Sequence, residues 1–215
     1  MVLALLAFGA ASAALLTGPR VALGIKGASA VHPLALTQTI ASLAEGTKNG
    51  LACTDREAAE LGTLIGLLEE QNPTADPAES ALLDGDWKLL YTSTKGGSAG
   101  KLGPFVGRVN QLMELGNQKY TNVVKVRGAQ AALAAHWDVL DACTWRVFFD
   151  TLTVRVLGRN LIKKPFPEGT SGIWRMTYLD TRIRILRARG EPRPGAESDN
   201  DEPLPENVYV LTRVD

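Results

Sequence analysis

Residues 172–179 read GIWRMTYL and residues 151–157 read TLTVRVL. A period of two puts Trp174, Met176 and Tyr178 on one face, with Ile173, Arg175 and Thr177 on the other. Leu152, Val154 and Val156 oppose Thr153 and Arg155 in the same way. That alternation is the mark of strands with one buried face. Working outward, residues 87–93, 105–113, 119–126, 131–139, 144–150, 181–186 and 207–213 are further strand candidates. Gly96-Gly97, Gly103-Pro104, Gly116-Asn117, Gly128 and Gly158 fall between several of them as turns. About eight or nine short strands with no helix between them predict a barrel or a sandwich over residues 85–215.

The parity of each strand nominates interior side chains. Trp145, Val147 and Phe149 form one row, Ile183 and Ile185 oppose Arg182 and Arg184, and Tyr209, Leu211 and Arg213 oppose Val208, Val210 and Thr212. The candidate interior, and so the candidate ligand-binding set, is Tyr91, Trp145, Val147, Phe149, Val154, Trp174, Met176, Tyr178, Ile183 and Tyr209. A barrel of about eight strands either fills with side chains or leaves room for one small ligand. The pattern leaves both open.

Upstream the period changes. Leu36, Ile40 and Leu43 have helical spacing over residues 34–45, and Gly46 with Lys48-Asn49-Gly50 ends that helix. Thr54 and Glu57 make a capping box for a second helix, whose Leu61, Leu64, Ile65 and Leu68 form one apolar stripe. Asn72-Pro73 stops it, and residues 73–80 read as an extended, Pro-containing link. Residues 189–207 (RGEPRPGAESDNDEPLPEN) carry prolines and acids with almost no apolar side chain, and predict a mobile solvated loop over 189–206.

The formal charge is balanced, 23 Lys+Arg against 23 Asp+Glu, which argues against a nucleic-acid partner. Cys53 and Cys143 are too few for a disulfide scaffold and are expected as free thiols. No metal cluster or cofactor motif is evident. Gly96-Gly97-Ser98-Ala99-Gly100-Lys101 lacks the phosphate-loop spacing and no helix follows it. His136 has no nucleophile-elbow partner, and Asp150 and Asp180 sit at strand ends where acids usually make turns. The reading is a binding protein, not an enzyme. A barrel enzyme using His136 or Asp180 is the weaker alternative.

Several segments carry a resemblance. Residues 67–74 (LLEEQNPT) continue through Pro77 into residues 82–93 (LLDGDWKLLYTS); Gly107-Arg108-Val109-Asn110-Gln111 follows. Near the end come Gly172-Ile173-Trp174, Thr177-Tyr178-Leu179-Asp180, Arg184-Ile185 and residues 208–213 (VYVLTR). Together they resemble the plastid lipid-associated protein family, the fibrillins or plastoglobulins. The likeness implies a lipocalin-like antiparallel β-barrel preceded by two short N-terminal helices. It also implies plastid residence on thylakoids or plastoglobules and binding of an isoprenoid lipid such as a carotenoid or quinone. A coat role on such a lipid surface is the alternative. Gly85-Asp86-Trp87 is similar to the G-x-W of lipocalin-type barrels, where a late Arg packs over the Trp. Arg213 has the parity for that structural closure.

Residues 1–33 are read as a removable targeting segment ahead of a domain over 34–215, with helical lead-in 34–72. The run 1–16 is almost wholly apolar and shorter than the roughly 20 residues of a spanning helix. Ala11-Ser12-Ala13 resembles a cleavage site, and no acid precedes Glu45. An apolar stretch followed by an acid-poor basic one is the order expected of a two-part address to a complex plastid reached through the secretory route.

Overall fold

A computed structural model describes residues 31–192 and 205–214. Residues 1–30, 193–204 and 215 lie outside it, and with them most of the targeting segment and the centre of the acidic loop. Helices α1 (Pro33–Ala44) and α2 (Asp55–Glu69) come first. The strands are β1 (Gly85–Thr92), β2 (Lys101–Leu102), β3 (Phe105–Val106), β4 (Arg108–Glu114), β5 (Lys119–Val126) and β6 (Ala129–Asp141). Then come β7 (Thr144–Val156), β8 (Arg159–Pro165), β9 (Ser171–Leu179), β10 (Ile183–Gly190) and β11 (Asn207–Arg213).

Eight strands close an antiparallel barrel. Around it the order is β6-β5-β4-β1-β11-β10-β9-β7, and β7 pairs back onto β6. β2 and β3 form a separate small hairpin between β1 and β4. The barrel has a base, where Trp87 faces Arg213 and Gln111, and a mouth, where Arg108 faces Lys125 and Ala129 faces Val156. β8 pairs only with the mouth half of β7, while β9 pairs with its base half. The barrel wall is therefore unladdered between β8 and β10 near the mouth.

The structure redraws several expectations. Residues 105–113 are not one strand: Phe105–Val106 pairs with Lys101–Leu102, and Arg108–Glu114 joins the barrel. Residues 144–157 are not two strands but one, β7. The change of parity between Phe149 and Leu152 is a β-bulge at Asp150, since Phe149 faces Ala135 and Thr151 faces Ala134. β8 had no strand signal, because Arg159, Asn160, Lys163 and Lys164 surround a single inward Ile162 on an exposed edge. β10 continues past Leu186 to Gly190, and Glu191 beyond it accepts from Arg146 Nε at 3.0 Å and Ser171 Oγ at 2.8 Å. Residues 189–191 are thus held to the wall, where a solvated loop was expected.

The helices lie on the outside of β1, β9, β10 and β11. Leu36, Ile40, Leu61, Ile65 and Leu68 pack there with Tyr91, Tyr178, Ile183, Ile185 and Val210. Thr54 and Glu57 form both halves of the capping box, which fixes where α2 begins. Near its other end, Glu69 receives two guanidinium hydrogen bonds from Arg187 of β10, at 2.7 and 2.8 Å. Asn72 then ties the chain to the wall. Its Oδ1 accepts from Leu179 N at 3.0 Å and Thr74 N at 3.3 Å, its Nδ2 donates to Thr74 O, and Thr74 Oγ1 donates to Leu179 O at 2.6 Å.

The Pro-containing link is not extended. It folds into two 3-10 turns, Pro77–Glu79 and Ala81–Leu83, that plug the barrel base with Ala78 and Leu83. Two indoles anchor the plug: Trp145 Nε1 donates to Ala78 O and Trp87 Nε1 to Leu83 O, both at 2.9 Å. Because the Asn72 clamp leaves Leu179 N without another side-chain acceptor if removed, Asn72→Leu should lower the unfolding free energy by about 2 kcal/mol. A urea melt checks this; a change below about 0.5 kcal/mol would mean the clamp is redundant.

Candidate functional site

The barrel interior is apolar and aromatic, with one small void in its mouth half. Phe149, Phe166, Trp174, Leu133, Leu186 and Tyr209 supply its apolar lining, and Gln111, Asn122, Tyr120 and Ser98 its polar lining. The cavity itself is about 30 Å³, set within about 480 Å³ of inter-atomic space that opens to solvent. Tyr120 meets Trp174 edge to face at 4.9 Å. Phe149 tilts against Phe166 at 5.9 Å. Phe166 lies beside the unladdered stretch of wall, held there by its own N–H on Asp150 O and by Phe149 N–H on Thr170 O.

The base is tightly made. Trp87 is fully buried with two arginines near its ring, Arg213 at 4.4 Å and Arg184 at 5.2 Å from the centroid. Arg213 also donates to the carbonyls of Leu82, Asp84 and Thr181. Gly85 has φ +113°, and a Cβ there would come within 2.9 Å of Arg213 Nη1. The glycine two residues before the tryptophan is needed for both reasons.

At the mouth, a cross-clamp holds the loop between β1 and β4. Asn49, in the turn between the helices, donates to Ala99 O at 2.9 Å and Gly107 O at 3.1 Å. Lys95 donates to Gly50 O at 2.8 Å. Gly50 has φ +94°, and a Cβ would meet Thr92 O at 2.2 Å, so only glycine lets the turn approach β1 this closely. This clamp fixes the segment that carries Ser98 over the cavity.

Of the nominated interior residues, Phe149, Trp174 and Tyr209 line the cavity. Trp145, Val147, Val154 and Met176 lie in the same interior core without touching the void. Tyr91, Tyr178 and Ile183 do not face inward; they pack beneath the helices. Bulges at Leu90 and Thr177 reverse the parity that would have brought Tyr91 and Tyr178 inside. In β10 both faces are buried, so Ile183 and Ile185 take the helix side and Arg184 goes inward. Sequence reading missed Gln111, Asn122, Tyr120 and Arg184. Parity with Val109 and Met113 for the first, and with Val124 for the next two, would have found three of them.

His136 and Asp150 meet on the outer wall, Nδ1 to Oδ1 at 2.8 Å, both about half exposed. Phe148 stacks on the imidazole at 5.1 Å. Asp180 makes a turn: Oδ1 accepts from Arg182 N and Ile183 N at 2.7 Å, and Oδ2 from the Tyr178 hydroxyl. Neither acid reaches the cavity. Both cysteines are free. Among the described residues no three His, Cys, Asp or Glu side chains gather as metal ligands.

The PAP_fibrillin family profile matches residues 35–192. The chain belongs to the PAP_fibrillin family. Plastid-lipid-associated protein 6 of Arabidopsis thaliana is 28% identical over 190 residues, covering 71% of this chain and 66% of that protein. Probable plastid-lipid-associated protein 2 of the same plant is 49% identical over 49 residues, which is 22% of this chain and only 16% of that protein. The chromoplast-specific carotenoid-associated protein C1 of an Oncidium hybrid is 46% identical over 52 residues, 24% of this chain and 16% of that protein. The aligned segments thus span well under two thirds of the first relatives' own length. No solved structure matches.

Burial pushes all four tyrosines of the fibrillin chain upward from the ordinary value of 10.0, Tyr209 to about 12 despite hydrogen bonds from Ser98 and Thr92 that act the other way. A folded-state value above the unfolded one stabilises the protein fully below the unfolded value and ceases to as pH rises through the folded one. Stability should therefore fall above about pH 10. Absorbance at 295 nm should show no tyrosinate step at pH 10 and a rise that coincides with unfolding. Four tyrosines ionising at pH 10 while the fold persists would refute the burial.

Proposed function

We propose that this plastid protein binds an apolar isoprenoid lipid, a carotenoid, a quinone or a similar molecule, without transforming it. The carrying observation is the barrel's aromatic interior with its void below an unladdered stretch of wall. Lipid association in the names of the relatives supports the reading. A cavity of about 30 Å³ has room for little more than a water, so binding requires the interior to expand. Phe166 is the side chain placed to yield, because it packs on the core from outside the barrel ladders and only in part. Displacing it exchanges one apolar contact for another and costs little burial. The base, fixed by Trp87, Trp145 and Arg213, stays closed.

A second reading, docking on a thylakoid or plastoglobule surface, is favoured by the mouth rim. Leu157 is 83% exposed, Leu161 66% and Phe105 63%. They project from the β7–β8 and β2–β3 hairpins at the same end of the barrel. Exposed Arg108, Lys125, Arg127, Arg159, Lys163 and Lys164 lie around them, and residues 101–110, 121–131 and 151–164 contain no Asp or Glu. Apolar tips ringed by cations suit an anionic lipid surface, to which each cation adds about 1 kcal/mol. The two readings are compatible: the rim would hold the mouth against the lipid from which the barrel fills.

They also separate experimentally. Val154→Trp should fill the interior and abolish tryptophan quenching by a carotenoid or plastoquinone, while flotation with anionic vesicles is unchanged. The pair Phe105→Asp and Leu157→Asp should reduce flotation at least about tenfold and leave quenching intact, given about 2 kcal/mol for each inserted side chain. Absence of saturable quenching in the natural chain would sink the binding reading. Flotation indifferent to the rim substitutions would sink the docking reading.

A further inference from the structure

Among the described residues Arg184 is the one charged side chain that is fully buried, with the Trp87 ring 5.2 Å from its guanidinium carbon. Its side chain is fully buried on the inward face of β10, next to the base of the cavity. Nη2 donates to Gln111 Oε1, and Gln111 in turn lines the cavity. Nε and Nη1 have no partner among the described residues. The carboxylates of the described ion pairs are engaged elsewhere, by His136, Arg146, Arg175 and Arg187. The other cation that acts on Arg184 is Arg213, of like sign. Burial lowers the guanidinium to about 10, which leaves it charged at neutral pH.

A guanidinium kept only to hold the fold uses its donors on the protein, and Arg213 shows how: it donates to three backbone carbonyls. Arg184 leaves two nitrogens unspent in an apolar interior, where an unpaired charge is strongly disfavoured. Two more buried atoms are in the same condition. Trp174 Nε1 is a donor in need of an acceptor, whereas Asn122 Oδ1 is an acceptor that a carboxylate does not answer; both belong to residues that line the cavity. A hydrocarbon would satisfy none of these groups. A neutral carbonyl would accept hydrogen bonds but leave the charge uncompensated. A carboxylate does both, with two oxygens matched to the planar fork.

Resting on the barrel-binding reading above, we propose that the ligand is an apolar molecule ending in a carboxylate, and that Arg184 with Gln111 is the subsite receiving it. The chain enters from the mouth with its acid end leading. Its apolar body occupies the space now filled by Phe149 and Phe166, and Trp174 Nε1 donates to the same head. The device is costly to the empty protein: the charge is unpaired until the acid arrives.

Matched acids and methyl esters test this on the full chain. Oleic acid against methyl oleate presents a linear chain, and retinoic acid against methyl retinoate an isoprenoid one; tryptophan quenching reads both. At least one acid should bind about tenfold or more tightly than its own ester. Arg184→Met should bring that ratio to about one with ester affinity kept, and its melting temperature without ligand should be no lower than that of the natural chain. Equal affinities of acid and ester in the natural chain overturn the proposal while leaving the barrel-binding reading standing. Saturable binding of neither overturns the proposal, and the barrel-binding reading is then decided by carotenoid and plastoquinone quenching alone. The acid–ester comparison needs no variant, so it decides even if Arg184→Met does not fold. A folded Arg184→Met that keeps the acid preference also overturns the subsite.

Discussion

The stretch of barrel wall beneath the helices is buried on both faces, and most of the architecture follows from that constraint. β1, β9, β10 and β11 carry the helices outside and the interior core inside. β10 shows the consequence at its limit: six of its eight residues are buried, the other two half-buried, and none is exposed. A strand covered on both sides needs apolar groups at every position, and so loses the alternation that tells in from out. The wall opposite, β4 to β7, has a solvent face and keeps it.

Legibility in the sequence divides along the same line. The capping box at Thr54, the apolar stripe of α2, the turns and most strands were readable because each rests on local chemistry. Leu152 and Val154 were correctly paired in β7 from alternation alone. What could not be read depended on register. Bulges at Leu90, Asp150 and Thr177 each insert one residue and reverse all parity beyond them. Tyr91 and Tyr178 left the candidate site for this reason. Arg184 entered it for another: where both faces are buried, a charge is assumed to point out, and here the outward face is taken by Ile183 and Ile185 beneath the helices. Glu69, the acid of α2 that does face the wall, is taken by Arg187.

The two ends of the barrel have opposite physical character. At the base, indoles and Arg213 bond to backbone carbonyls of the plug, so movement there would strand buried donors. At the mouth, contacts are mainly apolar: Phe149 on Phe166, Leu186 and Tyr209 around the void. Apolar contacts are non-directional and can be exchanged for a ligand's methyl groups at small cost. A stiff end and an exchangeable end in one core would, on the binding reading, let the fold persist while the interior changes occupant.

That division also explains where the polar groups sit. Gln111 marks the boundary, lining the void on one side and holding Arg184 on the other. Anything entering from the mouth meets exchangeable side chains until it reaches this layer, and fixed ones beyond it. A ligand with polar groups along its length would lose water without compensation on the way in. A purely apolar one would reach the layer and leave its donors unanswered. On the proposed reading, such an interior would favour molecules with one polar end, with that end leading.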